Sequence, residues 1–450
     1  MNGRATRLQL LNFTTIPMRA FHLAWMAFFV CFFAWFAVAP LMPIIRTDLG
    51  LTKDQIANIN IAAVMVTILV RLIVGPLCDK YGARLTYTWL LALGSLPVMG
   101  IAFTHSYEGF LFFRLCIGAI GASFVITQLH TGAMFAPNVV GTANATSAGW
   151  GNSGGGATQA LMPLIVAAIV SFGVEQTMGW RIAMFVPGLM MLGMAVFYYR
   201  CAKDTPRGNL KDLPHHDDAK AVSGWQSFRL AASDYRVWML FVTYGACFGV
   251  ELTIHNMASI YFVDTFKLDI KTAGLYVGCF GLLALFARAL GGLMSDKIAH
   301  NKGLDGRTRW LFALILAEGL GLMAFANAAN AQLAFITMIV FGLFTHMACG
   351  ATYSLTPFIN SKAKGGVSGI IGAGGNVGAV LAGFLMKDSI STQAGLGTLG
   401  LLVAASSLCA IAVRFNAGHK SAERDAYAAA LADRHGTNAT LTRPTSKKAA

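Results

Sequence analysis

Charge is scarce in this chain. Only 12% of its 450 residues are Asp, Glu, Lys or Arg, about half the roughly 25% of a typical soluble domain. Acids are scarcer than bases, 20 against 34, and the formal net charge is +14. With 56% hydrophobic residues, that shortage excludes an ordinary soluble domain and a mainly disordered one. Cysteines number eight, with no CxxC and no metal-ligand spacing. Seven of them (Cys31, Cys78, Cys116, Cys247, Cys279, Cys349 and Cys409) fall in or beside apolar runs and read as small buried hydrophobes. HExxH does not occur, and GNSGG, Gly151 to Gly155, matches GxSxG only inside a glycine-rich apolar run, so the sequence offers no metal or nucleophile constellation for an enzyme. It calls for no cofactor and no metal. The N-terminus lacks a signal-peptide cleavage pattern, and its first apolar run is long enough to stay in a membrane.

Long apolar runs are abundant. Many reach the ~20 residues that cross a bilayer, and the expected fold class is an all-α polytopic membrane protein with twelve spans. Residues 1–20 form a polar N-terminal segment, 21–199 a first six-span half, 200–236 a polar connector, 237–414 a second half and 415–450 a charged, partly disordered tail. Twelve spans put both termini on one side. With the termini inside, cytoplasmic segments hold 25 Lys and Arg, external loops hold 6 and spans hold 3. The positive-inside rule therefore makes both termini cytoplasmic. On this reading the net charge reports topology in the cytoplasmic (inner or plasma) membrane, and nucleic acid is not a partner.

The halves repeat. RLIVGPLCDK, Arg71 to Lys80, aligns without gaps to RALGGLMSDK, Arg288 to Lys297. A second pair is AGWGNSGGGATQ, Ala148 to Gln159, and GAGGNVGAV, Gly372 to Val380. Each glycine costs a helix interior roughly 1 kcal/mol relative to alanine, so five in eight residues need a reason. In a membrane helix the reason is close approach, of a neighbouring helix or of a ligand to bare backbone. Gly151, Gly155 and Gly375 are candidates for the latter. One amide stands in each stretch, Asn152 and Asn376, and can donate to an anion. Matched six-span halves imply a parallel repeat with a site at mid-membrane between them.

Charges inside the spans carry the chemistry. Arg71 and its counterpart Arg288 lie mid-span with no acid three or four positions away. A charge at bilayer depth faces the bundle interior and is functional by default. Two planar guanidiniums from opposite halves suit a flat oxyanion held bidentately; the alternative is that each pairs with an acid from another span. Asp79 and Asp296, at span ends beside Lys80, Arg84 and Lys297, read as a latch for the outward-open state. Glu251 and His255 lie four apart on one helix face and are the candidates for carrying a proton, with a hydrogen-bonded structural role as the alternative for Glu251.

GPLCDKYGAR resembles the loop motif of the major facilitator superfamily. The two glycine–Asn stretches resemble the paired signature of its nitrate/nitrite porter family. MRAFHLAW, FGVELT, LFARALGGLMSD and DTPRGN are similar to the plant, fungal and bacterial high-affinity nitrate transporters; His255 departs from that pattern. The resemblance covers residues 17–415 and implies a secondary transporter of nitrate and nitrite, by proton symport or by nitrate/nitrite exchange. With the position in the repeat, it also implies that Phe124 and Tyr353 cap a flat ligand, with Tyr244 a further donor. Carboxylates are flat too, so a carrier of formate or another carboxylate is a rival that only the doubled glycine–Asn signature disfavours. An anion sensor would need an output domain that connector and tail are too short to hold. The expected partners are nitrate, nitrite, protons and membrane lipid, acting on a monomer.

Overall fold

The computed structural model describes residues 3–136, 139–212, 224–360, 363–388, 391–421 and 425. The His215–Asp218 run of the connector and nearly all of the tail lie outside them. Helices account for almost everything else, and no strand is present among the described residues. In chain order they are α1 (Ile16–Phe36), α2 (Met42–Leu49), α3 (Lys53–Gly100), α4 (Tyr107–Gly118), α5 (Ser123–Met134), α6 (Val140–Ser171), α7 (Gln176–Ala183) and α8 (Phe185–Cys201). After the connector come α9 (Gly224–Ala232), α10 (Tyr235–Phe266), α11 (Ile270–Leu282), α12 (Ala284–Ala326), α13 (Ala331–Leu355), α14 (Lys364–Asp388) and α15 (Thr392–Ala412).

Polar residues mark where the apolar runs begin. Thr52 and Gln55 form a reciprocal capping box at the start of α3, and Ser106, Asp269, Asn330 and Ser391 accept backbone N–H bonds at the starts of α4, α11, α13 and α15. Such caps satisfy donors that a helix end leaves orphaned, worth about 1 kcal/mol each.

Ten stretches among the described residues are long and apolar enough to cross a membrane. Two of them, Lys53–Phe103 and Ile270–Ala326, run for 51 and 57 residues, more than twice the ~20 one crossing needs. Each is broken by one glycine with positive φ, Gly82 (+85°) in the first and Gly303 (+58°) in the second. At Gly82 a side chain would also strike Asp204. That carboxylate accepts from the N–H of Arg84 (2.8 Å) and of Leu210 (3.1 Å), capping the helix that restarts after the break. The DTPRGN segment thus fastens the end of the first half to the turn at Gly82.

Glycine faces let the helices meet at backbone distance. A Cβ on Gly151 would enter the Phe28 ring and one on Gly154 the Phe29 carbonyl, both on α1. The second half repeats this: Gly375 lies against Phe248, and Gly378 against the carbonyl of Gly245, both on α10. A third face of α6 crosses to the other half, where Gly156 packs on Gly281 of α11 and Gly149 on the carbonyl of Ala284. Close packing of small residues is how apolar helices gain contact in lipid.

Candidate anion-binding site between the halves

Both span arginines reach the seam between the halves. Arg71, from α3, donates through Nη1 to the carbonyl of Gly372 on α14 at 2.8 Å. Its Nε and Nη2 are buried without a hydrogen-bond partner. Its guanidinium lies 5.6 Å from the Phe124 ring centroid. Arg288, 4% exposed, repeats the aromatic contact, 5.4 Å from the Phe248 ring. The repeat seen as text, Arg71 with Arg288, is therefore a repeat of environment, each cation over a phenyl ring of its own half.

Their partners differ. Arg288 Nη2 donates to Glu251 of α10 in a fully buried ion pair. The acid that pairs Arg288 comes from another helix, which is the alternative left open for it by the sequence. Asn152 completes this arrangement from the opposite half: with its amide oxygen turned to Arg288 it accepts from Nε at 3.1 Å and Nη1 at 2.8 Å. No such acid meets Arg71 among the described residues. A charge inside a protein without a counter-ion is costly, and the Arg71 fork has only one carbonyl acceptor and a ring face.

Other orphaned polar groups gather nearby. Asn376 is fully buried with neither amide atom bonded, and the Tyr353 hydroxyl is buried without a partner. Tyr353 meets Tyr244 edge-on at 5.1 Å and Phe124 at 6.2 Å. Tyr244 in turn stacks on Phe248 at 5.2 Å. Thus Phe124, Tyr244, Phe248 and Tyr353 form one aromatic group spanning both halves beside the two cations. Phe248 was not singled out beforehand; it sits inside the FGVELT segment, where one aromatic among apolar neighbours carries no signal of its own.

The expected backbone role of the glycines looks different in space. Gly151 and Gly375 are filled by Phe28 and Phe248, and a Cβ on Gly155 would meet the His255 ring at 3.1 Å. Their observed part is to bring aromatic and imidazole rings close to α6 and α14. His255 is buried with neither ring nitrogen bonded, between the Phe36 and Phe280 rings at 5.0 and 5.7 Å. Glu251 has a second neighbour the sequence reading missed, His346 of α13, whose Nδ1 is 3.4 Å from Oε2. A titratable side chain in an apolar span was the available signal.

At one end of the molecule the halves are tied together. Arg46 and Asp264 pair through both guanidinium nitrogens, at 2.6 and 2.8 Å. Lys387 Nζ donates to Asn58 at 3.1 Å. Deeper in, Arg114 of α4, fully buried, donates to Asn256 Oδ1 at 3.0 Å and to the Trp35 carbonyl at 2.7 Å. Gln159 donates to the His255 carbonyl at 2.5 Å and accepts from Ser259 at 2.8 Å. A cavity of about 270 Å³ lies between the Arg46–Asp264 pair and this layer, lined by Asn60, Thr253 and Asn256 among others. At the other end Asp296 pairs with Arg307 of its own helix at 2.5 Å. Arg84 bonds to the Tyr199 carbonyl, also within one half. Among the described residues, neither Asp79 nor Asp296 makes a bond across the halves in this conformation.

Residues 24–383 match the Major Facilitator Superfamily. The chain is 38% identical over 419 residues to the High-affinity nitrate transporter 2.3 of Oryza sativa subsp. japonica, covering 92% of this chain and 80% of that one. It is 28% identical to the Nitrate/nitrite transporter NrtP of Nostoc punctiforme, over 86% and 90% of the two chains. Among solved structures, a bacterial homolog of the human lysosomal transporter Spinster in an inward-facing, unoccupied conformation superposes with a TM-score of 0.65 at 15% identity, over 89% and 94%. The E. coli fucose:proton symporter gives 0.60 at 16%, over 89% and 100%; at such identities these two speak for the fold alone. The chain is a multi-pass membrane transporter that belongs to the major facilitator superfamily and, within it, to the family of the high-affinity nitrate transporters.

Proposed function

We propose that the protein carries nitrate, and nitrite, inward across the cytoplasmic membrane by alternating access, with twelve crossings, both termini cytoplasmic and the anion held between Arg71 and Arg288. The observation that carries this is the Arg71 fork: a buried guanidinium with two unbonded nitrogens, beside the unbonded Asn376 amide and Tyr353 hydroxyl. These donors come from both halves, and among the described residues none of them meets an acceptor. A flat anion supplies acceptors in one plane, and the four aromatic rings supply its faces. Asn152 and Glu251 hold Arg288 in place as the second cation. Two arginines and one carboxylate leave one net positive charge there, which a monovalent anion balances.

On this reading the tied end, with Arg46 and Asp264, faces outside, and the end with Asp79 and Asp296 is open to the cytoplasm. The Asp79 and Asp296 latch would engage when that side closes. Moving a monovalent anion inward against an inside-negative potential costs about 2.3 kcal/mol per 100 mV, so the cycle needs a coupled proton or an exchanged anion. Labelled-nitrate flux in proteoliposomes separates these. Uptake driven by an imposed pH gradient means symport; uptake only with nitrite inside means exchange. No nitrate flux in either case, with good formate or acetate flux, overturns the nitrate assignment.

A further inference from the structure

Resting on the transport reading above, we propose that His346 is a proton-binding site that sets how firmly Glu251 holds Arg288, so that a proton and an anion load together. His346 is fully buried in α13. Its Nε2 is 3.2 Å from the carbonyl oxygen of Phe280. A carbonyl can only accept, so Nε2 carries the ring hydrogen, and the neutral imidazole turns the lone pair of Nδ1 outward. That lone pair faces Glu251 Oε2 at 3.4 Å, a second acceptor. Two acceptors pointed at each other lack one proton between them. A proton on Nδ1 turns the contact into a charge-assisted hydrogen bond.

The bond would form at the oxygen that Arg288 now uses, since Oε2 accepts from Arg288 Nη2 and Oε1 is unbonded. Protonation of His346 therefore draws the carboxylate away from Arg288, and the freed guanidinium gains capacity for the anion. The groups around the imidazole are few. Glu251 and His255 of α10 interact with it; Arg288 and Glu318 of α12 lie beside Glu251, and Cys247 of α10 lies beside Cys349. Its own helix adds Cys349, whose sulfur lies 3.9 Å from Glu251 Oε2. Packed on its other side, α11 adds only the ring and carbonyl of Phe280, and α6 adds Asn152 through Arg288. Among the described residues, Glu251 is the one carboxylate within reach of Nδ1. His255, by contrast, lies between two phenyl rings with no acceptor on either nitrogen.

The balance is simple. The lone pair of Nδ1 forms the new N–H bond with a proton from water on the side the anion enters. That proton leaves to water on the other side when Glu251 returns to Arg288, and no electrons are exchanged. The anion and one proton together carry no net charge, so their inward movement no longer runs against the potential.

Full-length protein in weakly buffered detergent solution, with a pH-indicator dye, tests this on addition of nitrate. The wild type should take up about one proton per nitrate bound. In proteoliposomes, His346→Gln should lower the ratio of pH-driven net uptake to nitrate-for-nitrate exchange roughly tenfold. His346→Asn covers a glutamine variant that fails to fold. Nitrate bound and moved by the wild type without proton uptake overturns this inference and leaves the transport reading standing. So does a His346 variant with the wild-type ratio. A wild type that neither binds nor moves nitrate overturns both.

Discussion

Arg46 and Asp264 grip each other through two parallel N–H···O bonds, at 2.6 and 2.8 Å, across the boundary between the halves. They are 218 positions apart in sequence, and the side chains keep 34% and 44% of their exposure. At that exposure such a pair is worth about 1 kcal/mol or less, enough to bias a two-state equilibrium without locking it. Asp264→Asn should shift the protein toward opening at this end by a few-fold. An Asn60→Cys reporter, which lines the cavity beneath, should then react faster with a membrane-impermeant thiol reagent. An unchanged rate would show that the deeper bonds, Arg114 to Asn256 and Gln159 to His255, hold the end shut alone.

Removing Arg288 alone should be far worse for folding than removing it together with its acid. Arg288→Met leaves Glu251 buried without its cation, a loss of about 3–5 kcal/mol. Arg288→Met with Glu251→Leu removes both charges and should recover most of the thermal stability while nitrate binding stays lost. Equal melting temperatures for the single and double variants would contradict the pairing.

Glycine contacts sort by what a methyl group would meet. Gly154→Ala and Gly378→Ala push Cβ into backbone carbonyls, of Phe29 and Gly245, and should cost about 1–3 kcal/mol. Gly369, in the same helix as Gly378, has nothing within 4 Å; Gly369→Ala should be neutral or stabilising by up to about 1 kcal/mol. Melting temperatures in one detergent check the order. Gly82→Ala belongs with the costly group, because its φ of +85° disfavours any side chain.

Much of this was legible in one dimension. Arg71 and Arg288 announce themselves because a guanidinium inside an apolar run must face the interior, and their shared context betrays the repeat. The glycine stretches were legible as close approach, but the thing approached was not: text does not show that Gly151 meets Phe28 and Gly375 meets Phe248. Nor does it join Glu251 to Arg288, which sit on different helices 37 residues apart. Asp296 read as a latch from charge and position, while its bond to Arg307 of the same half depends on the break at Gly303. His346 is the one histidine in α13, yet only the Phe280 carbonyl fixes which nitrogen is free.

The asymmetry between the arginines yields the most direct test. Arg288 is held by Glu251 and Asn152, whereas Arg71 keeps two nitrogens unbonded. Nitrate binding at equilibrium should be measured by calorimetry on wild type and Arg71→Lys. Lysine keeps the charge but loses the planar fork, so the account predicts that affinity falls about tenfold or more, as when two charge-assisted bonds become one. Wild-type affinity in Arg71→Lys would contradict a bidentate anion at Arg71 and remove the central claim.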